Sequence, residues 1–175
     1  MERQEVIQLI EAARNNGEVP DLRRTDLTGA DLSELDLHKA KLNFANLSEA
    51  NLTRVNLQEA DLTGANLGGA ILIQANLEKA NLLGTNLAKA NLEGANLLEA
   101  SLRNADLGEA NLCGVKLIEA TLRGAGLVVA DLRQGDLEGA NLIKANLREA
   151  NVTEEQIKKA KSLKRAVMPD GSLHP

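Results

Sequence analysis

Leucine recurs at every fifth position of this chain from Leu22 to Leu147, which makes 26 leucines in unbroken register. Alanine fills 19 of the 26 positions that lie two residues before a leucine, and Asn or Asp fills 20 of the 26 positions directly before one. A period of five fits neither the 3.6-residue period of an α-helix nor the 2-residue period of a strand. The chain must therefore turn within each unit of five residues.

Within each unit, two positions are predicted to face inward and three to face outward. The central leucine and the small residue two positions before it share a parity, so an extended segment points both side chains to the same side. That side must be the interior, because so many leucines are not stable in contact with water. Eight of the 14 glycines lie two residues after a leucine. This clustering indicates a corner where the backbone often adopts a positive φ.

Short extended segments joined by such corners wind into a coil whose successive turns can pair as parallel strands. No proline interrupts the segment from Asp21 to Ala150, so every amide in it can donate to the next turn. The number of units per turn follows less directly from the residues, and three and four are both possible.

The signs of the outward charges distinguish three units per turn from four, because like charges stacked about 4.8 Å apart on neighbouring turns are unfavourable. A spacing of 20 residues stacks charges of alternating sign: Lys39, Glu59, Lys79 and Glu99. A spacing of 15 stacks three charges of the same sign: Arg24, Lys39 and Arg54. Arg103 and Arg123 break the alternation at a spacing of 20. The charges therefore favour four units per turn without deciding between the two.

The segments outside the repeat predict caps for the two ends of the coil. Residues 1–19 contain a short amphipathic helix, 20–152 the repeat, and 153–175 a cap and tail. The last segment opens on the capping-box pattern Thr153-Glu154-Glu155-Gln156, which predicts a brief helix reaching Ala160 or Leu163 before a turn at 168–171. A solenoid needs such polar caps because its ends otherwise expose leucines and unpaired strand edges.

Composition narrows the class of protein further. Apolar residues make up 43% of the chain, yet it has one Phe and no Trp or Tyr, which indicates an interior too narrow for large rings. The net charge is −5, and the single cysteine cannot form an internal disulfide. The first residues lack the apolar stretch of a secretory signal, and no segment has the roughly 18 apolar residues that span a bilayer. We expect a soluble, cytoplasmic protein without membrane contact.

The units of the form Ala-(Asp/Asn)-Leu-X-X across 20–152 resemble those of the pentapeptide-repeat family. The resemblance implies an all-β solenoid, a right-handed quadrilateral parallel β-helix with four units per coil and the Leu and Ala side chains inward. The ending, from Thr153 to Gly171, is similar to the tails of members from photosynthetic bacteria. Several units depart from the pattern, at Leu35, Val55, Thr85, Val115 and Gly135 in the small inward position and at Lys41, Ile71, Lys116 and Gly126 in the Asn/Asp position.

No residue pattern in the chain predicts catalysis, a cofactor or a metal site. The two histidines are His38, in an outward repeat position, and His174, in the polar tail, and both are expected to be solvated. Cys113 has no CxxC partner and occupies an outward phase, so it is expected to be inert. No GxxxxGK[ST] loop occurs. The Asp and Asn residues recur because the repeat needs short polar side chains that bond nearby backbone.

A few outward apolar residues are candidates for contacting a protein partner. With four units per coil, Leu98 and Ile118 stack on one face, and Ile71 and Ile73 flank Leu72 on another. Phe44, the lone aromatic, either packs beneath the N-terminal cap or is an exposed contact. Scattered exposed apolar residues are also normal on monomeric proteins, so these positions are hypotheses.

The sequence predicts a non-catalytic scaffold that binds an unidentified protein partner, as a monomer rather than a homodimer. The resemblance suggests one alternative, a DNA-mimicking binder of DNA gyrase, a type II topoisomerase. Residues 21–150 carry 18 acidic but also 13 basic residues, so the field is far weaker than that of duplex DNA. A basic cluster in the C-terminal cap lacks interleaved aromatics and predicts a solvated surface rather than direct nucleic-acid binding: Lys158, Lys159, Lys161, Lys164 and Arg165.

Overall fold

The computed structural model describes all 175 residues and contains a four-sided coil with 20 residues per turn. The residue before each central leucine forms a parallel bridge with the residue twenty positions further on, from the pair Asp21 and Lys41 to the pair Asp131 and Asn151. Each bridge is a single residue, so the β-structure consists of isolated bridges between turns. This register corresponds to four units per turn rather than three.

The leucines therefore fall into four columns, and each column lies behind one flat face of the coil. We number the faces by their first leucine: face 1 begins at Leu22, face 2 at Leu27, face 3 at Leu32 and face 4 at Leu37. Faces 2 and 4 flank face 1, because the chain passes through the four faces in order during each turn.

The leucine columns and the small residues between them fill the interior. All 26 central leucines are at most 1% exposed, and they belong to one continuous core cluster of 50 residues. Thr85 is the buried polar residue, and its hydroxyl donates to the carbonyl oxygen of Leu62 at 2.8 Å. The departure from alanine at this position therefore leaves no buried polar atom without a partner.

Backbone hydrogen bonds fix both the turns and the stacking. The Leu87 N–H, for example, donates to the Asp106 carbonyl of the next coil at 2.7 Å, and the Leu87 carbonyl accepts from the Ala90 N–H at 3.0 Å. The residue two after each leucine has a positive φ, as the clustered glycines predicted. Eight glycines and 18 other residues occupy this position, so the corner favours glycine without requiring it.

The N-terminal helix α1, Arg3–Asn15, lies against the first coil. It buries Val6 completely and Ile10 almost completely in the core cluster. Its polar groups donate to backbone carbonyls that have no preceding coil to pair with: the Met1 amine to Asp26 (3.2 Å), Arg3 to Asp31 (3.0 Å) and Ser33 (2.9 Å), and Arg14 to His38 (2.7 Å). The helix thus supplies both apolar cover and donors to the open edge.

The C-terminal helix α2, Glu154–Lys158, is shorter than the sequence predicted. Its capping box forms as expected between Thr153 and Gln156, and Ile157 is buried where a central leucine would lie. The helix ends early because the Lys161 N–H returns to the parallel ladder and donates to the Ala140 carbonyl at 2.8 Å. Pairing then resumes with a spacing of 21, at Asn141 with Ser162 and Asn146 with Val167. Leu163 accordingly belongs to a further repeat-like unit and not to the helix.

A hairpin closes the last edge of the coil. Gly171, with a φ of 84°, reverses the chain so that Leu173 pairs antiparallel with Val167. The His174 N–H donates to the Ala166 carbonyl at 2.8 Å, and the Arg165 N–H donates to the His174 carbonyl at 3.0 Å. The parallel ladder therefore ends in an antiparallel segment instead of a row of free amides.

Two stacked departures from alanine on face 4, Val115 and Gly135, are expected to be coupled. A Cβ added at Gly135 would lie 3.0 Å from the Leu132 carbonyl oxygen and 3.3 Å from a Val115 methyl. Val115→Ala alone should lower the free energy of unfolding by about 2 kcal/mol. Gly135→Ala should then stabilise the Val115→Ala protein by about 0.5–1 kcal/mol, since alanine loses less conformational entropy on folding than glycine.

Denaturant unfolding of the wild type, both single variants and the double variant measures this coupling. We expect Gly135→Ala to be less favourable in the wild type than in the Val115→Ala protein, because the contact with the Val115 methyl is removed in the variant while the contact with the Leu132 oxygen is common to both proteins. Strict additivity of the two changes would show that Val115 does not limit the space at Gly135.

Candidate functional site

The Asp and Asn residues before the leucines have a structural role along every face. Their side-chain oxygens accept the N–H two residues on, as Asn66 does from Gly68 at 3.2 Å. Asn side chains also donate to the residue below them in the same column, as Asn86 does to Asn66 at 2.8 Å. These bonds explain why short polar side chains recur, as the sequence predicted.

Several aspartates in this position have a lowered pKa. The Arg23 guanidinium donates to the Asp21 carboxylate and lowers its pKa to about 2. Hydroxyl groups two residues on, those of Thr28 and Ser33, lower the pKa of Asp26 and of Asp31. Burial alone would raise the pKa of Asp61, but hydrogen bonds from Thr63, Asn43 and Asn81 outweigh it and lower the pKa. The carboxylates are therefore held ionised by the turn that they stabilise.

Stability is expected to fall as the pH drops from about 4 towards 2. A carboxylate whose pKa is lower in the folded chain than the ordinary 3.8 favours folding above that value, and the contribution is lost as the pH falls through the folded pKa. The triple variant Asp26→Asn, Asp31→Asn, Asp61→Asn should show a shallower loss over this range, because Asn accepts the same backbone N–H without titrating. Melting temperatures between pH 7 and 2 measure both profiles, and identical acid slopes would contradict this role.

His38 is not simply solvated, which corrects the expectation from its outward phase. Its Nδ1 lies 2.9 Å from Nη2 of Arg14 and 2.9 Å from the Asp36 carboxylate. Burial would raise the pKa of Asp36, but hydrogen bonds from His38 and the positive charge of Arg14 outweigh it and lower the pKa. The three side chains join the end of α1 to face 4. No residue pattern indicates this cluster, because Arg14 and His38 are 24 residues apart and meet only through the docking of α1.

The remaining residues considered for chemistry lie apart from one another. Cys113 is half-buried on face 3, and the Nδ1 atom of His174 lies 3.2 Å from the Pro175 carbonyl oxygen in the tail. No three His, Cys, Asp or Glu side chains come together in a way that could hold a metal ion. None of the helices has the length and apolar character needed to cross a bilayer.

The candidate contact residues lie on three different faces. Phe44 is 60% exposed at a corner of face 1, and its ring covers Gly64 of the next coil rather than packing beneath α1. Ile71 is 40% exposed and Ile73 half-buried on face 3. Leu98 and Ile118 are half-buried one coil apart on face 4, and their column continues to Glu78 and Glu138. The candidates form separate small patches and no single surface.

Other outward apolar residues escaped the sequence analysis. Leu83 on face 1 is 40% exposed, Val129 on face 2 is 49% exposed, and Leu173 in the terminal hairpin is 64% exposed. Leu83 and Val129 follow a central leucine by one and two positions, so their phase alone would have identified them as outward.

Charge is distributed unequally over the four faces. Within 21–150, face 1 has six basic and two acidic residues, a net charge of +4, whereas faces 2, 3 and 4 have net charges of −3, −2 and −4. The basic residues of face 1 are Arg23, Arg24, Lys41, Arg103, Arg123 and Lys144. Charge summed over the whole repeat conceals this asymmetry, because the faces interleave along the sequence.

The basic residues also differ in whether they have partners. On faces 2 to 4, six of seven basic residues form ion pairs, such as Lys39 with Glu59 at 3.6 Å and Lys89 with Glu109 at 3.7 Å. On face 1, one of the six does so, Arg23 with Asp21 at 2.5 Å. Face 1 therefore presents most of its positive charge to solvent.

Two grooves lie on face 1, one near each end of the coil. The first has a volume of about 730 Å³ and is bordered by Arg24, Lys41 and Phe44, among others. The second has a volume of about 210 Å³ and is lined by five polar or small residues: Arg103, Asn104, Arg123, Gly124 and Lys144. Both grooves are open and positively charged.

Comparison with known proteins identifies a family for these repeats. The family model described as pentapeptide repeats matches in eight copies over residues 21–58, 60–97, 95–134 and 127–154. HetL, a pentapeptide repeat protein involved in heterocyst differentiation regulation from the cyanobacterium Nostoc sp. strain PCC 7120, is 33% identical over 99% of this chain and 100% of its own, with a TM-score of 0.30. Rfr23 from the cyanobacterium Cyanothece 51142 is 28% identical over 79% of this chain and 93% of its own, with a TM-score of 0.35.

A more distant solved structure is that of QnrB1, a plasmid-mediated fluoroquinolone resistance protein. It is 19% identical over 81% of this chain and 84% of its own, with a TM-score of 0.41. A search of the curated proteins returned no match. The family match spans most of the chain and confirms the resemblance read from the repeat, including its similarity to members from cyanobacteria. This chain belongs to the pentapeptide-repeat family.

Proposed function

We propose that this protein is a non-catalytic scaffold that binds a protein partner on the outer faces of its coil. The observation that carries the proposal is the continuous core of 50 residues, which fills the coil with leucine and alanine side chains. The backbone N–H groups of the coil are hydrogen-bonded to carbonyls of the neighbouring coils. A partner that binds an outer face therefore contacts side chains and not free strand edges. Recognition must then depend on which side chains project from each face.

The apolar pair on face 4 is the best-defined candidate contact. Leu98 and Ile118 lie one coil apart and bury part of their surface against neighbouring coils. Because apolar side chains surrounded by charge are typical of the centre of a protein interface, this pair can anchor a partner. Ile71 and Ile73 on face 3 are a second candidate, and Phe44 on face 1 a third.

Capture of partners from the source organism tests this proposal when wild type and face variants are compared. Leu98→Lys with Ile118→Lys should abolish capture, whereas Val128→Lys with Val129→Lys, a matched change on face 2, should not. Ile71→Asn with Ile73→Thr tests face 3 with residues that the same columns already use at Asn51 and Thr53. Equal capture by every variant, or no specific capture by the wild type, would contradict the proposal.

The gyrase alternative predicts a different result of the capture experiment. A DNA mimic needs a continuous acidic surface, yet face 1 has a net charge of +4 and basic residues occur on all four faces. We therefore propose that the partner is not gyrase. Recovery of gyrase subunits with the wild-type protein, together with inhibited supercoiling at micromolar protein, would support the alternative.

We further propose that the coil is right-handed, as in the family, and that the protein is a cytoplasmic monomer capped at both ends. The caps are supported by the donors that α1 places on the first coil and by the antiparallel hairpin at the last. Sedimentation analysis at micromolar concentration measures the oligomeric state, and a concentration-independent dimer would contradict the monomer.

A further inference from the structure

Arg103 and Arg123 lie directly above one another on face 1, whereas most basic residues of the other faces form ion pairs with acidic residues. They occupy the same position of consecutive coils, about 4.8 Å apart, where like charges repel each other. No acidic side chain forms an ion pair with either residue, and the positions that flank the two arginines in this column, Leu83 and Ile143, are apolar.

Basic residues continue towards the C-terminal end of face 1, although the next residue of the Arg103 and Arg123 column is Ile143. Lys144 follows on the next coil, and its N–H donates to the carbonyl of Lys164 at 2.9 Å, which places Lys164 and then Arg165 on the coil after that. We call these five residues the basic patch: Arg103, Arg123, Lys144, Lys164 and Arg165. All five are exposed, and none forms an ion pair within the chain.

We propose that the basic patch binds an extended acidic segment of a protein partner. Partner carboxylates would supply the counter-charges that the chain provides for its basic residues on the other faces but not here. Such a segment can lie along the coil axis, with its acidic side chains in the groove between Arg103, Arg123 and Lys144. The inference rests on the proposed scaffold function, and it adds the chemistry of the partner and the face that meets it.

The geometry of the face favours a narrow ligand over a broad one. Three extended residues span about 10 Å, which approximates the width of one face. A nucleic-acid duplex, whose two grooves alone measure about 12 and 6 Å across, would overhang the flanking faces 2 and 4. Those faces have net charges of −3 and −4, so they repel the overhanging phosphates.

Two other ligands fit the patch less well than an acidic peptide. Single-stranded nucleic acid is normally held by aromatic side chains that stack on its bases, and the only aromatic residue, Phe44, lies three coils from Arg103. A second copy of this chain docked on face 1 would bury only about 340 Å² per partner, from a width of about 10 Å and seven coils of about 4.8 Å. A stable interface buries about 800 Å² per partner.

The inference can be tested with a fluorescently labelled oligo-glutamate peptide of about ten residues. Its binding to the protein is measured by fluorescence anisotropy at low salt. Ten extended residues reach about 34 Å and so exceed the length of the patch. The variant Arg103→Gln, Arg123→Gln, Lys144→Gln should bind about tenfold more weakly than the wild type, given the usual contribution of three exposed charge pairs. The control Lys39→Gln, Lys79→Gln, Lys89→Gln removes the same total of three positive charges, two from face 4 and one from face 2, and should bind as the wild type does.

Each outcome of this experiment decides for or against the patch. No binding by the wild type, or an equal loss in both variants, overturns the inference. Tighter binding of a single-stranded oligo-thymidine of similar length also overturns it and assigns the patch to nucleic acid. If a partner is captured through Leu98 and Ile118 while oligo-glutamate does not bind, the scaffold function stands and only the acidic-segment inference fails.

Discussion

Leu87→Asp is expected to destabilise the protein by more than about 4 kcal/mol. Leu87 is fully buried in the centre of the coil, so the change removes a packed side chain and places a carboxylate where no partner is available. Because each coil supports its neighbours, the loss should extend to both halves of the coil and not stay local.

The neighbouring change Leu83→Asp is the matched control for this prediction. Leu83 is 40% exposed on face 1, and its substitution should alter the free energy of unfolding by less than about 1 kcal/mol. Denaturant unfolding followed by circular dichroism compares the two variants. Similar stability of Leu87→Asp and the wild type would show that the leucine columns do not form the core.

Removal of residues 161–175 is expected to cause association and a large loss of stability. This segment accepts hydrogen bonds from the N–H groups of the last coil at Leu142, Lys144, Leu147 and Glu149, and it covers the coil with Ala166. Its removal leaves four open amide positions and apolar residues at the end of the coil, which is a template for edge-to-edge pairing.

A shorter deletion provides an internal comparison. Removing only 171–175 takes away the antiparallel hairpin but keeps the parallel turn formed by 161–168, so its effect should be smaller. Light scattering and thermal melting measure association and stability together. A monomeric long deletion that melts like the wild type would contradict the capping role.

The sequence predicted the repeat well because its structure is local. Leu87 and its equivalents are inward in every unit, the glycine positions have a positive φ as expected, and the Asp and Asn side chains bond the backbone two residues on. Each of these features depends only on a unit of five residues and its immediate neighbours. A regular pattern therefore suffices to predict them.

Features that depend on how distant segments meet were not predictable in the same way. The end of α2 at Lys158 is set by pairing between Lys161 and Ala140, and His38 meets Arg14 only when α1 docks on the first coil. The charge on face 1 was missed because it appears only when residues are summed over one face in the 20-residue register, and not when they are summed over the whole repeat. With that register known, the positions of Arg103 and Arg123 follow directly.

Hydroxyl-radical footprinting of the protein in complex with its captured partner tests most directly whether an outer face carries the function. The coil repeats every 20 residues, so a partner on one face should protect outward residues that recur at about this spacing. We expect the protected positions to lie in the columns of face 4 and of the adjoining face 1, while those of faces 2 and 3 stay reactive. Protection of consecutive residues around one whole turn, or of no outward residue, would contradict recognition through a face.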